Sequence, residues 1–214
     1  MSSYNVLVTG ASGNLGNLVV EELINIKKST PGLHIIAGSR TTAKLDGLKA
    51  KGVEIRQVDM SDKATLDKAF AGVQRLVIVS NDGFSQEHID WQKQTIDAAV
   101  QAKVQHIVYT SFAAPHPSLP LLTKHYYTEA HLASVPTSIG FTNLRNHLYQ
   151  EVLLSSLPHA VSTGGWATAT EDVYTRSYVS RADLAVATAV AATNLTNTSE
   201  RRQYDLAGPE QFTA

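Results

Sequence analysis

Cysteine is absent from the 214 residues, which excludes disulfides, thiolate nucleophiles and cysteine-bound metals together. A charge excess of either sign is missing too, since 18 basic residues against 19 acidic ones leave a net charge of -1 and a pI near 6.7. That balance recruits neither nucleic acid nor an anionic membrane, and neither partner is expected. No basic segment leads into a long apolar stretch at the start, and no later run reaches the length of a membrane span. The expected compartment is therefore the cytoplasm. The triplets Asn194-Leu195-Thr196 and Asn197-Thr198-Ser199 match the glycosylation pattern, but without a secretion signal they read as chance in an Asn/Thr-rich loop. Low-complexity segments and solenoid-length repeats are lacking as well. What is present, 43% hydrophobic residues, suffices for the core of one sizeable domain.

The chain opens on a β-branched run, Tyr4-Asn5-Val6-Leu7-Val8, that stops at Thr9-Gly10-Ala11-Ser12-Gly13-Asn14-Leu15-Gly16. Beyond it the apolar residues Leu15, Leu18, Val19, Leu23 and Ile26 recur with helical period. A strand, a glycine-rich bend and a helix in that order form a phosphate-binding turn. Gly10 lets the chain leave the strand tightly, Gly13 lets backbone approach a diphosphate, and Gly16 lets helix and strand pack closely. The amides at the start of the helix, from Ser12 and Asn14 onwards, would face the phosphates.

Further strand-like runs cover His34–Ala37, Glu54–Val58, Leu76–Val79, His106–Tyr109 and Ser138–Phe141, with helix-compatible stretches between them. This alternation predicts an α/β fold: a Rossmann-like, doubly wound parallel sheet with helices on both faces. Ligands in such sheets bind beyond the carboxyl ends of the strands, so the residues after each run carry the information. The second run ends Gly38-Ser39-Arg40, without the acid that accepts from a ribose 2′-hydroxyl in NAD-selective sites. A guanidinium can instead hold a 2′-phosphate, so NADP(H) is preferred over NAD(H). Asp59 and Met60 close the third run, Asp59 serving either the adenine amino group or the loop itself. Ser80 and Asn81 would lie beside ribose and diphosphate. Thr110 and Ser111 end the fifth run, Ser111 where a substrate carbonyl would meet the nicotinamide or as a simple strand cap. Phe141, Thr142 and Asn143 would border the nicotinamide ring, while Arg145 would donate to loop carbonyls. The stretch Ser180-Arg181-Ala182-Asp183 reads as a capped helix start.

The segment Lys124-His125-Tyr126-Tyr127-Thr128-Glu129-Ala130-His131 stands where a short-chain dehydrogenase shows Tyr-x-x-x-Lys, yet Ala130 and His131 occupy the lysine positions. No other tyrosine supplies the pair. His125 and His131, six apart, fall on different helix faces and share no metal.

Taken in order, the glycine turn, Arg40, Tyr109-Thr110-Ser111, His125 to Glu129, Leu144-Arg145-Asn146 and Ser180 to Asp183 resemble NmrA-like atypical short-chain dehydrogenases/reductases. Within that family the resemblance is to bacterial NADPH:quinone oxidoreductases, and it covers nearly the whole chain. It implies hydride transfer from NADPH to a quinone, with Ser111, His125 or Tyr126 able to hydrogen-bond the acceptor oxygen. A hydroquinone anion has phenol-like acidity, near about 10, so water protonates it without an engineered acid. The alternative implied by the founding regulator of the family is a non-catalytic NADP(H)-binding redox sensor. Residues 1–145 are expected to form the cofactor core and 146–214 a small, shortened substrate side with the remaining core elements, all in one compact unit. Family members continue past the equivalent of Leu206-Ala207-Gly208. The substrate side is therefore expected to be open, completed by a second copy in a homo-oligomer, or missing from the sequence given.

Overall fold

The computed structural model describes residues 3–165, 175–196, 198–209 and 211–213; the sequon asparagine Asn197 lies outside them. In chain order the elements are β1 (Tyr4–Val8), α1 (Asn14–Lys27), β2 (Leu33–Ser39), α2 (Asp46–Ala50), β3 (Glu54–Gln57) and α3 (Lys63–Ala69). Then come β4 (Arg75–Val79), α4 (Gln86–Gln101), β5 (His106–Phe112), α5 (Pro120–Ser134), β6 (Gly140–Asn146) and β7 (Leu148–Tyr149). The last are α6 (Gln150–Thr163), β8 (Thr175–Val179), α7 (Arg181–Thr193), β9 (Arg201–Leu206) and β10 (Gln211–Thr213).

Among the described residues seven strands form one sheet, ordered β3-β2-β1-β4-β5-β6-β9, and every neighbouring pair is parallel. Alternate residues face opposite sides, so each strand feeds two cores. Val6, Val8, Ile35, Ala37, Val77, Val108 and Leu144 pack under Leu15, Val19 and Leu23 of α1 and Leu184, Ala185 and Ala189 of α7. Leu7, Ile36, Leu76, Ile78, Ile107 and Tyr109 pack against Leu66 of α3, Ile96 and Ala99 of α4 and Leu132 of α5. Helices on both faces and parallel strands make this the Rossmann-like doubly wound fold that the alternation implied. Two elements from beyond residue 146 complete it, β9 extending the sheet and α7 packing beside α1. A small second sheet, β10-β8-β7, lies outside the main one.

The sixth expected strand is displaced along the chain. β6 runs from Gly140 to Asn146, not from Ser138 to Phe141, because the polar residues Asn143, Arg145 and Asn146 lie within the strand. They hide it from hydrophobic periodicity. The consequence is positional: Phe141 pairs with Ile107 and Thr142 with Val108, near the amino ends of the strands. Asn143 pairs with Tyr109 in mid-sheet, and the carboxyl end belongs to Arg145 and Asn146. Phe141 joins the lower core beside Leu132, Val135 and Ile139, and Thr142 meets the ring of His106 at 2.9 Å. Phe141, Thr142 and Asn143 therefore do not reach the carboxyl-edge cavities.

The strand order reverses between β1 and β4, which opens a crevice at their carboxyl ends. The cavities described next occupy that edge.

Candidate functional site

A cavity of about 450 Å³ begins at the bend after β1. Gly10 has φ +62°, a left-handed conformation that a side chain resists, and the Gly13 amide donates to the Gly10 carbonyl at 2.9 Å. A Cβ on Gly16 would lie 2.2 Å from that carbonyl oxygen, so helix and bend touch only because the side chain is hydrogen. α1 starts here with Gly13 as its cap, no side-chain capping bond and no acid in its first turn. Its first amides are thus free to bind an anion, and Gly13, Asn14, Leu15 and Gly16 line the cavity.

Gly10, Ser12, Arg40, Asp59, Met60, Ser80 and Asn81 line the same cavity, so the structure gathers these expected cofactor residues. Ser12 and Ser39 hydroxyls meet at 2.8 Å, and no carboxylate ends β2. The Arg40 side chain is exposed. Asp59 Oδ1 accepts from the Ser61 amide at 2.9 Å and hydroxyl at 2.7 Å, which is the loop-closing option left open by the sequence. Thr110 lies beneath: its hydroxyl oxygen accepts from the Ser80 amide at 3.0 Å and holds the loop after β4. Residues beyond the expected set line this cavity too, among them His88, Trp91, Tyr149 and Arg181. The Arg181 guanidinium stacks 4.8 Å from the Tyr149 ring centre, a contact between β7 and α7 that no local motif encodes.

A second cavity of about 390 Å³ shares Ser80, Asn81, Asp82 and Tyr149 with the first. Phe84, Phe112, Leu148, Tyr149, Val152 and Leu153 give it apolar and aromatic walls, and Ser111, Lys124, His125 and His147 add polar groups. Ser111 and His125 are thus in the cavity. Tyr126 is not among its walls: the next position on α5 turns away, leaving that ring 41% exposed and edge-on to Tyr127 at 5.3 Å. The expectation for Tyr126 is corrected accordingly.

Every inward group of α5 is engaged. Glu129, buried, accepts from Arg145 Nε at 3.0 Å and Nη2 at 2.7 Å, and from the Ser111 hydroxyl at 2.6 Å. Arg145 therefore pairs with a carboxylate and not with loop carbonyls as expected. Ser111, having given its proton to Glu129, offers the cavity a lone pair. The Lys124 ammonium donates to the carbonyl of Asn81, to Asn81 Oδ1 at 3.2 Å and to the Gly83 carbonyl at 3.0 Å. It pins the loop between the two cavities. Burial pulls its pKa down to about 8, with Asp82 opposing. The His125 ring lies with Nδ1 2.8 Å from the Tyr109 hydroxyl, and burial, aided by Lys124, lowers its pKa to about 3, so it is neutral near pH 7.

At the entrance to α7, the Ser180 hydroxyl oxygen accepts from the Asp183 amide at 2.9 Å and donates to the Asp183 carboxylate at 2.6 Å. The cap read from the sequence is present, with the carboxylate on the hydroxyl of Ser180. Among the described residues no helix is long and apolar enough to cross a membrane.

Comparison with known proteins agrees with this geometry. The E. coli (strain K12) quinone oxidoreductase 2 is 36% identical over 209 residues, covering 97% of this chain and 70% of that protein. A (4-alkanoyl-5-oxo-2,5-dihydrofuran-3-yl)methyl phosphate reductase from Streptomyces griseus is 29% identical over 211 residues, covering 98% and 70%. The crystal structure of an E. coli NADPH-dependent quinone oxidoreductase complexed with NADPH superposes with a TM-score of 0.84 at 33% identity, covering 97% and 71%. That of Citrobacter sp. triphenylmethane reductase complexed with NADP(H) gives 0.83 at 30% identity, covering 98% and 72%. The model of the NmrA-like family matches residues 2–207, and with these relatives it shows that the chain belongs to the NmrA-like family.

Proposed function

We propose that this protein is an NADPH-dependent oxidoreductase that reduces a quinone, a small-molecule partner met in the cytoplasm. The observation that carries this is the continuity of the two cavities: one begins at a helix start without a side-chain cap and is rimmed by an exposed arginine, and the other is aromatic-walled. The fit to a phosphorylated dinucleotide rests on the bend itself, where only hydrogen at Gly16 fits beside Gly10 and free amides await an anion. In this reading Gly10, Ser12, Gly13, Asn14, Leu15 and Gly16 hold the diphosphate, and Arg40 the 2′-phosphate. Asp59 and Met60 flank the adenine, while Ser80 and Asn81, backed by Thr110, border the nicotinamide half. Bound there, NADPH supplies a hydride, and the quinone leaves as a hydroquinone after taking one proton from water. Phe84, Phe112 and Tyr149 flank the acceptor ring, and His125 hydrogen-bonds its oxygen. Catalysis is then mostly positioning, which needs no tyrosine–lysine pair. Residues 1–145 carry most of the cofactor cavity, while 146–214 add Tyr149 and Arg181 to it, wall the substrate and return α7 and β9 to the core.

The test follows the dihydronicotinamide absorbance of NADPH mixed with the protein and 1,4-benzoquinone. Turnover is expected, and Arg40→Ala should raise KM for NADPH about tenfold while leaving that for NADH unchanged. NADPH binding without turnover at any benzoquinone concentration overturns the reductase reading in favour of a redox sensor.

A further inference from the structure

Buried behind the second cavity is a polar chain that joins three elements. The Thr128 hydroxyl donates to the Lys124 carbonyl one helical turn back, at 2.8 Å. With its proton spent, its oxygen accepts from the Gln92 side-chain amide at 2.9 Å, which fixes how that amide points. The same nitrogen donates its other proton to the Tyr109 hydroxyl oxygen at 3.3 Å. Tyr109 is fully buried, and His125 Nδ1, at 2.8 Å, stands closer to its hydroxyl than the Gln92 nitrogen and is placed to accept its single proton. A proton on Nδ1 would turn the phenol's own proton away from this contact, and a buried donor left unmet costs about 1–3 kcal/mol. Nδ1 is therefore bare and the ring proton sits on Nε2.

We propose that Gln92 and Tyr109 are positioning residues that hold His125 as the Nε2–H tautomer, so that the cavity always meets a neutral hydrogen-bond donor. The inference deepens the quinone-reductase reading and rests on it only for the identity of the acceptor. Two observations make the donor matter. Ser111, another candidate, donates its hydroxyl hydrogen to Glu129. The Lys124 ammonium is committed to the loop carbonyls of Asn81 and Gly83. His125, alongside His147 and the Tyr149 hydroxyl, is thus a cavity group able to donate, and the one whose tautomer a buried network sets, facing an acceptor whose oxygen gains negative charge as hydride arrives. The hydrogen bond strengthens with that charge without any proton leaving the ring. Among the described residues Gln92 Oε1 is buried without a hydrogen-bond partner, so holding the amide in this orientation carries a cost.

The experiment reads nitrogen-15 shifts of the His125 imidazole in the ligand-free protein and then kinetics with 1,4-benzoquinone. Wild type should show one form at pH 7, bare at Nδ1 and protonated at Nε2. Tyr109→Phe should give a mixture of tautomers and lower kcat about tenfold with KM for NADPH unchanged, the effect of one hydrogen bond. Gln92→Met is the second variant: it spares the Tyr109–His125 contact but frees its direction, and should also mix the tautomers. A wild-type ring protonated at Nδ1, or charged at pH 7, overturns the proposal whatever the activity. Mixed tautomers with unchanged kcat overturn the donor role. A fixed Nε2–H ring in a protein that turns over no quinone upholds the tautomer lock and overturns the function.

Discussion

At the scale of single residues, the bend after β1 makes the sharpest demand, because a Cβ on Gly16 would stand 2.2 Å from a backbone oxygen that cannot swing aside. Gly16→Ala should cost about 1–3 kcal/mol of stability and weaken NADPH binding at least about tenfold, since relief of the clash displaces the amides of the bend. Thermal unfolding and calorimetry with NADPH read both effects. Wild-type affinity in a folded Gly16→Ala protein would refute the assignment of the bend to the diphosphate. This residue was legible in the sequence because its constraint is local: glycine spacing, a strand before and a helix after. Gln92, Tyr109 and Glu129 were not, because their roles depend on partners that only the fold brings near. Tyr109 could be dismissed for lacking a lysine four residues on, although its hydroxyl meets a histidine of the next helix.

Among the elements, α5 brings Lys124 and His125 to the substrate side. Its inward positions Lys124, His125, Thr128 and Glu129 follow helical spacing, while Tyr126 and Tyr127 face outward. That division could have been drawn from the sequence had the polar stripe been read as buried, but polar residues default to the surface. The same default hid β6, whose Arg145 is inside the strand because Glu129 waits opposite it. Glu129 ties α5 to β6 through Arg145 and to β5 through Ser111, so Glu129→Gln keeps the shape and removes the charge. We expect a loss of about 2 kcal/mol in urea unfolding, the scale for weakening a largely buried pair. Arg145→Met in the Glu129→Gln background should then add less than it costs in wild type. Additive losses would show that the two side chains do not act as a pair.

For the molecule as a whole, buried groups whose pKa values are displaced by the fold make stability depend on pH. His125 ordinarily titrates near 6.5 but is held at about 3 in the fold, chiefly by burial. Between those values the unfolded chain binds a proton that the folded one refuses. Stability is therefore full above about pH 6.5 and falls as pH drops toward about 3, by an amount on the order of 3–5 kcal/mol. Burial lowers the pKa of His106 as well, which adds to the slope with the same sign. Lys124 works at the other end: its pKa drops from 10.5 to about 8, so the unfolded state holds the extra proton between those values and stability rises with pH there. Burial raises the pKa of Tyr109, which keeps its proton where the unfolded phenol, near 10, releases it, and this opposes the rise above that pH. His125→Gln separates the acid limb from general carboxylate effects, because a glutamine oxygen can still accept from Tyr109 yet never charges. Urea unfolding of the two proteins from pH 7 to pH 4 should show the wild type losing stability faster, with the difference closing as pH falls. Parallel curves would mean that His125 takes its proton in the fold as readily as in water, and the buried, neutral ring on which the hydrogen-bonding role depends would be lost with it.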